Sequence, residues 1–300
     1  MAHEKTILAR WLALSILSLG LVACSPRQLI VGNLADALAG QGQMAENDPE
    51  LARDAAPFYL KLSESVLLQQ PGHAALSEAV AAGFTQYAYA FVAFEADRIE
   101  SRDAVAASRL RQRAAQLYAR AQLHAVNALD NRYPGFSDAL RSTDPARWPV
   151  LKAADVGLAY WAAAAWGGWI SLSKDAPDIV ADLPLAVRLA ELAYRADRQW
   201  GEGALLGLRA TFEAARPGGH RQQALHWFDE AIALSGGQSP GPLLAKAEGH
   251  ALPTGDRAGF ESLLRQALAG VTPAGDPQAL QDEVMRRRAA WLLEQSPDLF

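Results

Sequence analysis

Residues 221–234 read RQQALHWFDEAIAL. Ala224, Phe228 and Ala231 are spaced four and three apart, so a helix places them on one face. A small residue, a large aromatic and a small residue in that spacing mark the second helix of a tetratricopeptide (TPR) repeat. The small residues let a partner helix approach closely, and the aromatic fills the space between repeats. Upstream, Leu206-Gly207 stands where the first helix of such a repeat carries its Leu-Gly pair. The stretch between Gly207 and Ala224 is longer than in a standard repeat, which predicts an extended inter-helix loop.

Working outward, the same spacing returns in weaker form. Ala114, Tyr118 and Ala121 repeat it in AAQLYARA; Phe260, Leu264 and Ala267 echo it with a large residue first; Ala186, Ala190 and Ala193 keep it without the aromatic. Turn signals separate helix-length segments: Asn47-Asp48-Pro49, Gln70-Pro71-Gly72, Tyr133-Pro134-Gly135, Asp175-Ala176-Pro177, Arg216-Pro217-Gly218-Gly219, Ser239-Pro240-Gly241 and Asp276-Pro277. Strand-like alternation is absent. The expected fold is all-α: a helical-hairpin array of about four degenerate TPR-like motifs over roughly 76–129, 150–196, 201–235 and 242–269. A leading segment, 49–69, and a closing helix, 277–295, cap it, and residues 49–300 form one domain.

The N-terminus predicts export. Lys5 and Arg10 precede an apolar stretch, Trp11–Gly20, and then Leu21-Val22-Ala23-Cys24. A basic start, an apolar core and small residues before the cut fit a secretory signal over 1–23. Leucine, two small or apolar residues and cysteine form the bacterial lipobox, so Cys24 is the expected lipidation site. Residues 24–48 then form the lipidated N-terminus and linker. Acyl chains buried at about 0.8 kcal/mol per CH2 hold such a body on a membrane. Cys24 is the single cysteine of the chain, which rules out an internal disulfide and any Cys-based metal or redox centre. Ser25 follows it, and the lack of aspartate there favours the outer membrane over the inner.

The net charge is −5, and loss of residues 1–23, with Lys5, Arg10 and Glu4, makes the mature chain one unit more negative. Binding to nucleic acid through charge is disfavoured. Arg286-Arg287-Arg288 is the densest basic cluster; on a helix its members point in different directions and read as solvated or ion-paired.

No residue pattern for chemistry emerges. There is no GxxxxGK[ST] and no HExxH. Gly201, Gly203 and Gly207 miss the dinucleotide spacing and follow no strand. The histidines are scattered; His220 and His226, six apart, fall on different helix faces. No metal, no cofactor and no enzymatic activity are expected, and a hydrolase on an α-toroid lacks any carboxylate motif to support it.

What stands out is aromatic. Residues 83–94 read GFTQYAYAFVAF, with Phe84, Tyr87, Phe91 and Phe94 on one helical face and Tyr89 off it. Residues 157–173 read GLAYWAAAAWGGWISLS, carrying Tyr160, Trp161, Trp166 and Trp169. Its uncharged run is closed by Asp155 and Lys174, short of the roughly 20 apolar residues of a membrane helix. Such rings pack cores, and some also line pockets, because tryptophan and tyrosine join an apolar body to one polar handle. Trp161, Trp166, Trp169, Tyr160, Phe84, Tyr87 and Phe91 are the candidate cavity residues. At least one tryptophan, Trp161 or Trp169, is expected to border an internal pocket.

Segments of the chain resemble the TatT family of periplasmic TPR lipoproteins associated with TRAP transporters. They are NDPELARDAAPFYLKLSESVL (47–67), GFTQYAYAFV (83–92), RAAQLYARA (113–121), YPGF (133–136), YWAAAAWGGWISLSKD (160–175), ALHWFDEAIALSGG (224–237) and AAWLLEQSPDLF (289–300). The resemblance implies cryptic TPR motifs, a hydrophobic cavity or pore within each subunit and a homotrimer as one assembly. It also implies a partner, the substrate-binding protein of a TRAP system, and an accessory role: docking that partner and passing a small apolar ligand. Cys24 takes the family's lipid, and the aromatic segment falls on Trp161, Trp166 and Trp169. The competing reading of the same residues is a TPR scaffold lipoprotein for envelope assembly, without a small-molecule ligand.

Overall fold

The structure, a computed structural model, describes residues 26–40, 46–237, 239–273 and 275–300. The signal segment and Cys24 lie outside the described residues. Every regular element among the described residues is helical. The chain order is α1 (Pro26–Gly40), α2 (Pro49–Leu67), α3 (Ala74–Tyr87), a π-helical turn (Ala88–Ala93), α4 (Phe94–Ile99), α5 (Ala104–Arg132) and α6 (Phe136–Arg141). Then come α7 (Val156–Ser171), α8 (Pro177–Val180), α9 (Leu183–Ala196), α10 (Ala204–Ala215) and α11 (Arg221–Leu234). The chain ends with α12 (Pro240–Lys246), a second π-helical turn (Ala247–Ala251), α13 (Arg257–Ala269) and α14 (Ala279–Leu299). None of these helices is long and apolar enough to cross a membrane.

The helix starts follow local chemistry. Asp48, Asp103 and Asp256 each accept a hydrogen bond from the backbone N–H three residues on, at 2.9–3.0 Å. These carboxylates satisfy donors that a helix start leaves unpaired. At α3 the imidazole of His73 does this for Leu76, at 3.1 Å. The segment expected as linker carries α1, whose apolar residues are spread around the helix rather than gathered in a stripe.

The four triplets at this spacing are all buried. Ala224, Phe228 and Ala231, Ala114, Tyr118 and Ala121, Ala186, Ala190 and Ala193, and Phe260, Leu264 and Ala267 lie in the core. Close approach is made by glycines opposite them. A Cβ on Gly203 would sit 2.4 Å from the carbonyl oxygen of Ala231, and one on Gly249 would sit 2.7 Å from the Phe228 ring. Gly203, at φ 96°, and not Gly207, thus makes the tight contact in the α10–α11 pair. The glycines of 201–207 serve backbone geometry.

Neighbours succeed one another along the chain. α3 packs on α5, α5 on α7, α7 on α9, then α9 on α10, and so on pairwise to α13 and α14. α14 returns to α2, and α2 lies on α3, so the succession closes. The largest apolar cluster joins α5, α6, α7, α9 and α10; a second joins α1, α2, α3 and α5 with Ala165 of α7; a third lies within α12–α14. Helix α7 is the hub, and Trp169 packs against both of the first two clusters.

Candidate functional site

The hub helix α7 is fixed at its start by a buried polar clamp. Asp155 is 2% exposed. Its carboxylate accepts from the Tyr133 hydroxyl at 2.5 Å and pairs with Arg132 at 2.5 Å. The same tyrosine oxygen accepts from the Lys152 amide at 3.0 Å. Gly135 turns the chain at φ 77°, and Phe136 is buried behind it. The YPGF stretch is therefore a device that anchors the tryptophan helix. Beside it the Glu78 carboxylate lies against Gly157, 2.1 Å from where a Cβ would be. Burial, and then the charge of Asp155, push its carboxyl up.

Along α7 the rings separate into two kinds. Trp166 is sealed at 2% exposure, and its indole N–H has no hydrogen-bond partner among the described residues. Tyr160, Trp161 and Trp169 are half-buried and pack at the edge of the core. Tyr160 meets Trp161 edge-on at 4.9 Å and Trp200 at 4.6 Å between ring centres. Burial pushes the Tyr160 hydroxyl up to about 12, although the residue retains accessible surface. The helix also approaches its neighbours closely: Cβ atoms on Gly167 and Gly168 would fall 2.6 Å from the Phe212 ring and 2.7 Å from the Tyr118 ring.

The expected stripe of residues 84–94 is broken by the π-helical turn, where the Phe94 amide donates to the Tyr89 carbonyl, five residues back. The extra residue per turn shifts the phase. Phe84 and Tyr87 belong to the buried second cluster, with Phe84 facing Arg120 at 5.2 Å and His124 at 6.4 Å. Phe91 and Phe94 instead help line a cavity of about 130 Å³ between α2, the π turn and α14. Tyr89, off the face by a regular helical wheel, turns to α14, where its hydroxyl lies 3.7 Å from the Met285 sulfur. Burial pushes that hydroxyl up as well.

Arg288 is the centre of this region. It donates to Glu248 through Nη2 at 2.7 Å and Nε at 3.2 Å, and to Asp97 at 3.1 Å. Asp97 also accepts from Arg111 at 3.2 Å. The guanidinium lies over Tyr89, Phe94 and Trp291 at 5.4–6.0 Å. Arg286 and Arg287 share Glu283, and Arg287 also reaches Glu50, so all three arginines of the basic run are ion-paired. The charged partners of Arg288, and the Trp200 and Trp291 rings, are invisible to sequence reading because they come from remote segments.

The family model described as TRAP transporter T-component matches residues 45–300. The chain belongs to that family. It is also 30% identical over 283 residues to an uncharacterized protein of Treponema pallidum (strain Nichols), a match covering 92% of this chain and 87% of that protein. Membership in the T-component family makes the chain a TRAP transporter component and points to the cell envelope. The family is an accessory one, not an enzymatic one.

Proposed function

We propose that this T-component is a periplasm-facing lipoprotein, anchored through Cys24, that docks the substrate-binding protein of a TRAP system and holds a small hydrophobic ligand beside helix α7. The observation that carries the ligand reading is the state of Tyr160, Trp161 and Trp169. Burial pushes the Tyr160 hydroxyl up to about 12, while Tyr160, Trp161 and Trp169 are each half-buried. Half-buried rings of this kind suit the wall of a ligand space, since each offers an apolar face with one polar atom. The buried triplets support TPR-like pairing, which provides the docking surface. The outer membrane is the favoured anchor site, and a homotrimer is the assembly to look for.

The test is native mass spectrometry of the delipidated protein, alone and with the substrate-binding protein of a TRAP system from the same organism. A bound small apolar molecule and a complex with the binding protein are expected. A ligand-free protein that ignores the binding protein would overturn the reading and leave the envelope scaffold.

A further inference from the structure

We propose that the helical succession opens and closes at the seam between α14 and the first helices, that Arg288 is its clasp, and that this seam admits the ligand. The last clause rests on the function proposed above; the opening itself does not.

The seam differs in kind from the other helix contacts. The cluster of α12–α14 and the cluster of α1, α2, α3 and α5 share no residue among those described. The first two clusters, by contrast, are joined by Trp169. Beside the Tyr89–Met285 contact, what crosses the seam is polar or edge-on. Arg287 donates to Glu50 at 2.6 Å, Arg288 to Asp97 at 3.1 Å, and Phe94 meets Trp291 edge-on at 5.7 Å. Separating such pairs returns charges to water instead of exposing a packed apolar core. The Arg287–Glu50 pair is exposed at 44% and 59% and contributes little to holding the surfaces together, which leaves Arg288, 14% exposed, and its 30% exposed partner Asp97 as the polar contact that holds the seam.

Two more observations fall at the same place. The pocket of about 130 Å³ lies there, lined by Phe91, Phe94 and Val284 together with Glu50, Arg53 and Arg287, so the seam already carries an open cleft. Both π-helical turns also reach Arg288: Tyr89 stands in the first, beneath the guanidinium, and Glu248 in the second, bonded to it. A π turn carries one residue more than the α register and recurs at functional sites. Each of these turns can take up a shift of Arg288 without breaking the helices that flank it.

Hydrogen exchange on the mature full chain in detergent tests the opening without any ligand or partner. Segments 88–99 and 284–292 are compared with the core segment 186–193. Asp97→Asn is expected to speed exchange in both seam segments about tenfold, and a bismaleimide joining Glu50→Cys to Arg287→Cys to slow it as much, with the core unchanged. Seam segments that ignore both changes, or that exchange only together with the core, would overturn the clasp. Passage is read with 1-anilinonaphthalene-8-sulfonate: the joined protein should take up the dye about tenfold more slowly than the same variant left unjoined. Equal uptake rates would overturn the seam as the entrance. Absence of dye binding in the parent protein would sink both the cavity and the entrance, while the exchange result still decides the clasp.

Discussion

Gly168 of α7 lies flat against the ring of Tyr118 on α5, so close that a Cβ would sit 2.7 Å from the ring edge. The ring is buried and cannot move aside. Alanine in place of a helical glycine ordinarily gains about 1 kcal/mol, and overpacking a core costs about 1–3 kcal/mol. Overpacking wins here. Gly168→Ala is expected to lower the unfolding free energy in urea, and Gly167→Ala, which meets Phe212, to do the same. Gly32→Ala on α1 meets nothing within 4 Å and should gain stability instead. A stabilised Gly168→Ala would contradict the packing.

Tyr133→Phe isolates one hydroxyl. It leaves the buried Asp155 with Arg132 and takes the acceptor from the Lys152 amide. Losing a partner of a buried charged group costs about 1–3 kcal/mol. The loss should appear in urea unfolding, together with faster hydrogen exchange in the first turn of α7. Wild-type exchange there would show that the clamp does not hold the helix start.

Much of the helical order is legible in the sequence because helix starts and stops are written locally. Expected pairs at 201–235 and 242–269 correspond to α10–α11 and α12–α13, since Pro-Gly turns and the alanine triplets act over a few residues. The π turns are not legible. Their residues Tyr89 and Glu248 meet Arg288 on a remote segment, and a regular wheel places Tyr89 on the wrong side. Asp97 and Arg288 are 191 residues apart, and no local rule pairs them. Trp166 and Trp169, three apart on one helix, differ in exposure because of the helices facing them. Helix α1 is not legible for the opposite reason: it has no apolar stripe.

Acid should find Glu64. Burial by itself raises this carboxyl, but the hydrogen bonds of Arg120, Lys61 and His124 outweigh it and hold it at about 2, against an ordinary 4.5. A carboxyl lowered in the folded state stabilises that state above its unfolded pKa. The contribution is lost as pH falls from about 4.5 through 2, and amounts to roughly 2–3 kcal/mol. Urea midpoints at pH 7, 4 and 2.5 should fall steeply across the last interval. In Glu64→Gln the fall should be shallower, from a lower starting stability at pH 7. Parallel curves for the two proteins would assign the acid limb elsewhere.

The tryptophans of α7 give the sharpest test of which rings pack and which face a ligand. Trp166 is sealed in the core, so Trp166→Ala should cost about 3–5 kcal/mol through the cavity it leaves. Trp161 and Trp169 keep accessible surface, and their truncation removes less buried area, so the stability loss is smaller. If these rings border the ligand space, Trp161→Ala or Trp169→Ala should weaken 1-anilinonaphthalene-8-sulfonate binding about tenfold or more, the loss of roughly 1.4 kcal/mol of contact. Trp166→Phe keeps most of the buried aromatic volume and removes an N–H that has no partner among the described residues, so it should bind the dye as the parent does. Unfolding free energies and dye titrations on the same four proteins separate the two roles. A dye affinity that follows stability across the set, with Trp166→Ala weakest, would make all three rings packing residues.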